Sequence, residues 1–282
     1  MLYLTLPPEA TEKSESDTQR SQIVFDLLNY SQNKQAIDKT PRTIIQFWDT
    51  KEIPTDVLDC MDSWKSLKSL GFDYKVFSQE SAQEYIATNL SEKHLKAFLN
   101  CYHPAMKSDY FRLCYIYCSG GMYVDSDEVY TGKSIEKYFE DSELKLHPLC
   151  YDIDSDAMVS SEHFIGHSYK KSRIYYFNNN PLISGKNNPV VQYALERATN
   201  ILNLIDFRSL PEIQSTAGPG NLTASVVALY VASQNKTTIE ILTDWEVHSN
   251  NIWSLSYRND ARNWRLSNRK MFDEAVIQGY SG

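Results

Sequence analysis

The hydrophobic and polar positions between residues 108 and 127 predict a helix, a glycine break and a short strand. Five apolar side chains recur at helical spacing and would form one face of the helix: Tyr110, Leu113, Cys114, Tyr117 and Cys118. A Gly-Gly pair at 120–121 predicts the helix end, since glycine tolerates the left-handed geometry common there. The apolar residues 122–124 follow as a brief strand that leads into Asp125 and Asp127.

Apolar patterns elsewhere in the chain predict an α/β fold. Residues 43–48 form a β-branched apolar run typical of a buried strand, and residues 72–77 alternate as a second strand. The segment between them has helical spacing, and this strand, helix, strand order is how an α/β domain begins. Further helices are predicted near residues 23–30, 81–99 (one helix or two), 135–139, 189–204 and 223–233. Residues 9–22 and 245–264 lack periodicity, so we expect a loose lead-in and a loop that could close over a ligand.

Element lengths predict that four charged side chains meet at one place. The helix rises about 15 Å from Asp109 to its end, and the strand covers about 13 Å up to Asp125. If the chain reverses at the glycines, the start of the helix returns level with the end of the strand. Asp109 and Arg112 share one helical face because they are three residues apart. Three acids, with Asp127 included, and one arginine suit a divalent cation and a hydroxyl-rich anion.

The Asp-x-Asp pair at residues 125–127 gains weight from its surroundings. On its own such a pair is common in solvated loops. Here an apolar strand, a Gly-Gly break and an Asp-x-x-Arg helix precede it. Mg²⁺ and Mn²⁺ prefer oxygen ligands and usually bind through one or two carboxylates plus substrate phosphates. We therefore expect Asp125 and Asp127 to bind Mn²⁺ or Mg²⁺ together with a phosphorylated substrate.

With these residues in place, the chain resembles glycosyltransferase family 32, the DXD-containing sugar transferases, and more distantly the glucosylating domain of large clostridial toxins. The resemblance spans residues 41–253 and is poorly defined between 133 and 178. The blocks that carry it are residues 41–48, 63–64, 108–127, 178–184, 188–189 and 216–220, with His248 and Trp253 near the end.

The resemblance implies a GT-A fold, which is a Rossmann-like mixed sheet flanked by helices, here with added helices. It also implies a nucleotide-sugar donor, Mn²⁺ or Mg²⁺, and transfer of a hexose with retention of configuration. We expect a UDP-sugar in preference to a GDP-sugar, but the same diphosphate chemistry can hold both, so the donor is left open. Asp125 and Asp127 would hold the metal and the diphosphate, and Asp109 and Arg112 would bind the donor sugar. The remaining expected roles are base stacking by Trp48, a ribose contact by Tyr123, other donor contacts by Gln46, Phe47, Ser108, Asn180 and Trp253, and metal binding by His248.

Composition narrows the classes of partner. The net charge of −8 and the pI near 5.3 argue against nucleic acid, whose phosphates call for basic surfaces. The acceptor is left open among a glycan, a lipid-linked glycan and a protein. We expect residues 1–40 to be a helical and polar lead-in, and residues 41–282 to form the GT-A domain.

The cysteines and the hydropathy of the chain indicate in which cellular compartment the protein is expected. Cys114 and Cys118 share the apolar helix face and are most simply buried thiols, which fits a reducing environment. We expect no membrane span because no apolar run approaches about 18 residues. The first six residues lack the features of a secretory signal. We expect a cytoplasmic protein, with peripheral membrane association or secretion as an effector left open.

Two other classes of protein fit parts of the pattern. A haloacid-dehalogenase-type phosphatase would use Asp125 as nucleophile and Asp127 as acid/base. Its motif normally lies near the start of a domain and is followed by a Gly-Asp-x-x-x-Asp segment, which this sequence lacks. A catalytically silent sugar-binding module of the same fold would have little need of the intact Asp-x-x-Arg and Asp-x-Asp sets.

Overall fold

The computed structural model describes residues 15–29, 38–205, 210–233, 239–260 and 262–263. The helices are α1 Glu15–Leu28, α2 Thr55–Lys65, α3 Gln79–Asn89, α4 Glu92–Leu99, α5 Pro104–Ser119, α6 Pro189–Asn203, α7 Ile213–Thr216, α8 Pro219–Ala232 and α9 Trp245–His248. The strands are β1 Thr43–Phe47, β2 Asp73–Phe77, β3 Gly121–Tyr123, β4 Glu128–Tyr130, β5 Leu144–Asp152, β6 Ala157–Val159, β7 Arg173–Ser184, β8 Ile239–Ile241 and β9 Ser249–Asn251. Short 3-10 helices cover Ser66–Leu70, Glu136–Phe139, Ser161–His163 and Ser256–Asn259.

Seven of the strands described here form one mixed sheet. Its order is β2-β1-β3-β7-β5-β6, and β8 also pairs with β5. Strands β2, β1 and β3 run parallel, whereas β7 is antiparallel to both β3 and β5. The predicted α/β class, a mixed sheet flanked by helices, is therefore confirmed.

Side chains of the central strands alternate between two apolar layers. Ile45 and Tyr123 lie in the larger layer, packed with residues of α1, α3, α4, α5, α6 and α8. Ile44 and Met122 point to the other face, where they pack with Trp64 of α2. Burial on both faces explains why residues 43–48 lack the alternation of a half-exposed strand. A third, smaller apolar cluster surrounds Trp48 at the carboxyl end of β1.

The Gly-Gly pair lets α5 turn directly into β3. Gly120 and Gly121 have φ of 68° and 118°, which side-chain-bearing residues rarely adopt. A Cβ on Gly121 would lie 2.8 Å from the Thr43 carbonyl oxygen of β1. The glycines therefore allow both the reversal of the chain and the close approach of β3 to β1. As a result, the start of α5 faces the end of β3.

A bulge in β7 brings an asparagine pair to the same edge of the sheet. Leu182 pairs with Leu146 of β5, and Phe177 pairs with Pro148. Residues 178–181 of β7 therefore lie opposite the single residue His147. Bulges of this kind often redirect side chains next to functional sites.

Two predicted irregular segments contain regular structure. Residues 15–22 of the expected lead-in form the first half of α1, because Ser21 reaches β7, where its Oγ donates to the Arg173 carbonyl and accepts from the Tyr175 N–H. In the expected loop 245–264, α9 is followed by β9, which pairs antiparallel with β4. Residues 9–14, Tyr30 and Trp264 lie outside the described residues.

Two features of the helices are the burial of the cysteines on α5 and the apolar length of each helix. Cys114 is buried as expected, but Cys118 is half-buried, so the apolar face of α5 does not continue fully to its end. All five cysteines are free thiols. In the part of the chain that the structure covers, we find no helix with the length and apolar character needed to cross a bilayer.

Candidate functional site

Arg112 lies at the centre of a buried charge cluster. Its residue surface is 2% exposed, and its Nη2 donates to Asp125 Oδ1 at 2.8 Å. The same nitrogen lies 3.0 Å from Asp109 Oδ1. The structure thus brings together Asp109, Arg112 and Asp125 from the start of α5 and the end of β3.

Neighbouring side chains fix the orientation of the guanidinium. The Tyr123 ring lies 4.3 Å from the Arg112 guanidinium carbon, a cation–π contact. Ser108 Oγ accepts from Arg112 Nη2 at 3.0 Å and lies 2.7 Å from the Tyr123 hydroxyl. Arg112 Nη1 donates to the Asn179 carbonyl at 2.9 Å. Ser108 and Tyr123, both expected to touch a donor, therefore also hold Arg112 in place.

The carboxylates of the cluster carry more negative charge than Arg112 balances. Burial raises the pKa of Asp109 above its usual value, although Arg112 opposes this. Burial also raises the pKa of Asp125 to about 6; Arg112 opposes this shift, and the negative charges of Asp127 and Asp109 add to it. The Asp125 side chain is still 34% exposed, so it faces the solvent side of the cluster. A cation bound there would relieve the remaining repulsion.

Two asparagines of the β7 bulge connect the cluster to a buried glutamate. Asn179 Nδ2 donates to Asp109 Oδ1 at 2.8 Å. Asn180 Oδ1 accepts the Asp125 N–H at 2.9 Å, while its Nδ2 donates to Glu128 Oε1 at 2.6 Å. Burial raises the pKa of Glu128 to about 8. The predicted donor residue Asn180 is itself buried and orients the Asp125 backbone.

The second carboxylate of the pair faces the C-terminal segment. Asp127 Oδ2 accepts from the Tyr257 hydroxyl at 2.7 Å and pairs with Arg258 Nη2. The Arg258 guanidinium carbon lies 4.3 Å from the centre of the Trp253 ring, and Trp253 is 59% exposed. Tyr257 and Arg258 therefore lie at the mouth of the cluster, together with the predicted residue Trp253.

Trp48 borders a pocket at the end of β1. The pocket has a volume of about 230 Å³ and is lined by Trp48, Thr50, Lys51, Ile53, Val76, Phe77, Ser78 and Ser81. The indole N–H of Trp48 donates to Thr50 Oγ1 at 3.1 Å. The Tyr257 ring meets Trp48 edge-on at 5.5 Å between centres, so one tyrosine connects the pocket to Asp127.

Gln46 and Phe47 lie beneath the site. Gln46 is fully buried, and its Nε2 donates to the Asp125 carbonyl at 3.1 Å. The Phe47 ring packs against Phe98 and Phe111 in the core, while its carbonyl accepts from Ser126 Oγ. Both residues support the Asp125–Asp127 loop from below.

His248 lies in a different environment from the carboxylates. Its Nε2 is 3.7 Å from Asp244 Oδ2, and its Nδ1 is 3.3 Å from the Lys133 carbonyl oxygen. The ring packs against Tyr138 at 5.4 Å. Among the described residues, neither Asp125 nor Asp127 lies within 4.0 Å salt-bridge distance of the ring, so the structure does not bring His248 to the carboxylate pair.

The donor atoms left at the cluster suit a hard cation that shares its coordination with substrate. Within the described ranges, no group of three or more His, Cys, Asp or Glu side chains forms a metal site. Arg112 takes one oxygen of Asp125, and Tyr257 and Arg258 take one oxygen of Asp127. Asp125 Oδ2 and Asp127 Oδ1 carry no hydrogen bond from the described residues. Two carboxylate oxygens completed by phosphate and water match how Mg²⁺ is commonly bound.

Four residues of the site were missed by the sequence reasoning: Asn179, Glu128, Tyr257 and Arg258. Asn179 adjoins a predicted residue within an Asn-Asn-Asn run, which marked the segment without singling out this position. Glu128 directly follows the Asp-x-Asp pair and could have been considered as a buried acid. Tyr257 and Arg258 lie in the segment without periodicity, so only its aromatic and basic composition pointed to them.

Comparison with known proteins agrees with this location of the site. Residues 54–144, about a third of the chain, match the family described as "Glycosyltransferase sugar-binding region containing DXD motif". The matched region includes Asp109, Arg112, Asp125 and Asp127. This part of the chain resembles the sugar-binding region of glycosyltransferases. The match does not separate family 32 from other families with a DXD motif. No curated protein matches the sequence.

Three solved glycosyltransferase structures are similar at low identity. "PaToxG Glycosyltransferase" is 17% identical, with 78% of this chain and 82% of that chain covered and a TM-score of 0.48. A glycosyltransferase involved in the glycosylation of the major capsid of PBCV-1 is 12% identical, with 71% and 80% covered and a TM-score of 0.35. The ligand-free glycosyltransferase domain from the YGT toxin is 8% identical, with 73% and 80% covered and a TM-score of 0.41.

Proposed function

We propose that the protein is a glycosyltransferase that moves a hexose from a nucleotide-sugar, UDP-linked in preference to GDP-linked, to an acceptor hydroxyl. The observation that carries this proposal is the ion-pair cluster of Asp109, Arg112 and Asp125, which lies beside Asp127 within the matched sugar-binding region. Membership of family 32 is the narrower form of the same proposal.

In this proposal the nucleotide lies across the carboxyl ends of β1 and β3. The base enters the pocket beside Trp48, and the diphosphate reaches Asp125 and Asp127. The crevice outside the carboxyl ends of parallel strands is the usual place for a ligand in α/β sheets. Aromatic rings stack on nucleobases whatever the base, so the pocket accommodates more than one nucleoside.

The donor sugar is assigned to Asp109 and Arg112. A carboxylate accepts hydrogen bonds from sugar hydroxyls, and a guanidinium donates to their oxygens. Asp109 Oδ2 lies beside Gly218, where a Cβ would approach it to 2.9 Å. The absence of a side chain at residue 218 therefore leaves Asp109 Oδ2 room beside α8, and the carboxylate needs such room to meet a hydroxyl group.

Mn²⁺ or Mg²⁺ is part of the proposal, with Asp125 and Asp127 as its protein ligands. When bound, the ion neutralises charge that develops on the leaving nucleoside diphosphate. Asp125 and Asp127 each have one oxygen without a hydrogen bond from the part of the chain that the structure describes, and their other oxygens are held by Arg112, Tyr257 and Arg258. Hydrogen bonding of the second oxygen is typical of carboxylates that bind metals.

Retention of configuration is part of the proposal, because neither base candidate considered among the described residues is placed for that role. An inverting transferase needs a general base beside the acceptor hydroxyl. The best base candidate in the sequence, His248, lies against Tyr138 and Asp244, and Glu128 is buried and hydrogen-bonded. We therefore assign the acceptor proton to the leaving phosphate oxygen on the same face of the sugar. The acceptor is a glycan, a lipid-linked glycan or a protein, met in the cytoplasm.

A donor screen tests this function. The purified protein is incubated with UDP-glucose, UDP-galactose, UDP-N-acetylglucosamine and GDP-mannose in the presence of Mn²⁺, and release of UDP or GDP is measured. We expect slow hydrolysis of one donor without acceptor, because water can replace the hydroxyl, and we expect none with Asp125→Asn. NMR of the first-formed sugar should show the α anomer from an α-linked donor.

The same screen separates the alternatives. Nucleotide-sugar binding without turnover, with or without added oligosaccharides, would identify a silent sugar-binding module. Phosphate release from small phosphoesters would identify a phosphatase. A β anomer formed first would overturn the retaining mechanism while leaving the transferase function in place.

A further inference from the structure

We infer that Arg258 binds the diphosphate of the donor, an inference that rests on the proposed function. Arg258 belongs to the 3-10 helix Ser256–Asn259, well outside the matched region 54–144. Its side chain is 13% exposed, and its Nη2 pairs with Asp127 Oδ2. The chain therefore places a second guanidinium, besides that of Arg112, beside the carboxylate pair.

The guanidinium of Arg258 keeps donors free for a further anion. An arginine carries five N–H donors in a planar fork. Its Nε is shielded from solvent and has no hydrogen-bond partner among the described residues. A buried donor without a partner is costly in free energy, and an anionic oxygen would satisfy it best. Arg258 thus has an unmet bonding requirement next to the carboxylates.

The position of Arg258 matches the middle of the proposed nucleotide. Tyr257, the preceding residue, contacts the Trp48 ring on one side and Asp127 on the other. A nucleotide with its base beside Trp48 and its diphosphate at Asp127 would therefore lie along Tyr257 and Arg258. Asp127 Oδ1 stays available for a cation, because Tyr257 and Arg258 use only Oδ2. A diphosphate oxygen can therefore meet the cation and Arg258 together.

Two hydrogen bonds from backbone N–H groups anchor the segment that leads to Arg258. At its start, the Ile252 N–H donates to the Asp127 carbonyl at 2.9 Å. Farther along, the Ser256 N–H donates to Asp56 Oδ2 of α2 at 2.6 Å. Trp253 supports the guanidinium from one face. Groups held in place before the ligand arrives bind it with less loss of conformational entropy.

The obvious alternative is that Arg258 only stabilises the fold by pairing with Asp127. The two roles differ in what they do to ligand affinity. A structural arginine would change stability and leave the difference in affinity between a diphosphate and a monophosphate unaltered. A diphosphate-binding arginine raises the affinity for the diphosphate, which carries the second phosphate, more than the affinity for the monophosphate.

Calorimetric titration of variants with UDP, UMP, GDP and GMP separates these roles. Arg258→Gln removes the charge at similar size, and Arg258→Lys keeps the charge without the planar fork. Arg42→Gln is the matched control, because Arg42 lies at the opposite end of β1 and pairs with Glu136. Each titration is run with Mn²⁺ and again with EDTA, and circular dichroism checks that each variant is folded.

We expect Arg258→Gln to weaken binding of the preferred diphosphate about 10- to 100-fold, the usual range for a charge-assisted hydrogen bond. Binding of the matching monophosphate by Arg258→Gln should change less than about 3-fold. The diphosphate affinity of Arg258→Lys should lie between those of wild type and Arg258→Gln. Arg42→Gln should bind both ligands as wild type does. Undiminished diphosphate binding by Arg258→Gln would overturn the inference and leave the proposed function standing. If Arg258→Gln failed to fold, unchanged diphosphate selectivity in Arg258→Lys would overturn it instead. If wild type bound neither UDP nor GDP, the proposed function would fail as well.

Discussion

Asn179 donates a 2.8 Å hydrogen bond to Asp109, and this contact joins the bulge of β7 to the first turns of α5. The contact is buried, so its loss would leave a carboxylate without one of its donors. It also holds Asp109 Oδ1, which leaves Oδ2 on the side of Gly218. The bulge therefore fixes which oxygen of Asp109 is hydrogen-bonded within the cluster.

We predict that Asp109→Asn lowers kcat/KM for the sugar donor by about 100-fold or more, since a buried charge would no longer face the sugar. Nucleoside diphosphate affinity should change less than about 3-fold. Steady-state kinetics and calorimetric titration measure the two quantities. Asp62→Asn is the control, because Asp62 forms an exposed i, i+3 pair with Lys65 and should leave both values unchanged. Normal kcat/KM in Asp109→Asn would assign Asp109 a purely structural role.

The local part of this site could be predicted from the sequence, and the long-range part could not. Helix periodicity, the glycine pair and the strand before Asp125 are all contiguous, so element lengths alone predicted that Arg112 would meet Asp125. The bulge at residues 178–181 depends on register against β5, which no local period encodes. Strand β9 is only three residues long, and its pairing with β4 spans more than 100 residues of chain.

The start of α1 shows a second limit of pattern reading. Ser21 is polar yet buried, because its hydroxyl group bonds the backbone of β7. A periodicity argument counts such a residue as solvent-facing, so the helix was expected to begin near residue 23 and begins instead at Glu15.

We predict that donor turnover is lost in excess EDTA and returns with added Mn²⁺ or Mg²⁺, because the proposed function has the carboxylate pair hold the diphosphate through a cation. Asp127→Asn should lower turnover at least as strongly as EDTA does. Asp59→Asn, an exposed change on α2, should behave as wild type. Coupled detection of the released nucleoside diphosphate gives the rates. Full turnover in EDTA would remove the metal from the proposal.

Trp48→Phe should abolish most of the fluorescence quenching that UDP or GDP causes in the wild-type protein. The reason is that Trp48, although only 7% exposed, borders the pocket at the end of β1, whereas Trp64 and Trp245 lie deeper and stack on each other. Equal quenching in wild type and Trp48→Phe would indicate another reporter, such as the exposed Trp253. The affinity of Trp48→Phe, measured by calorimetry, separates loss of signal from loss of binding.

Gly121→Ala should destabilise the protein more than Gly132→Ala does. Both glycines have positive φ, so each substitution carries the strain of that backbone region, about 1–3 kcal/mol. Only at Gly121 would the new Cβ also press on a backbone oxygen, 2.8 Å away, since Gly132 has nothing within 4 Å. Urea unfolding gives the two free energies. Equal values would mean that β3 can move away from β1 at little cost.

Ser249→Ala should lower the free energy of unfolding by about 1–3 kcal/mol, the cost of leaving a buried polar group without its partner. Ser249 Oγ donates to Glu128 Oε2, and both residues are buried. Ser69→Ala, an exposed change in the 3-10 helix after α2, is the control and should stay within about 0.5 kcal/mol of wild type. A negligible effect of Ser249→Ala would show that water replaces the hydroxyl group at Glu128.

The pairing of β4 with β9 limits where the chain can pivot near the site. Strand β4 begins one residue after Asp127, and β9 ends one residue before Ile252, whose N–H donates to the Asp127 carbonyl. With the ladder intact, residues 252–258 can swing away once the Ile252 bond, the Ser256 bonds to Asp56 and the Tyr257 and Arg258 contacts with Asp127 have all opened. Movement of the β9 residues requires the ladder itself to unzip as well. Amide hydrogen exchange should therefore be faster at Ile252 than at the ladder amides, and it should slow at Ile252 when a nucleotide occupies the cleft.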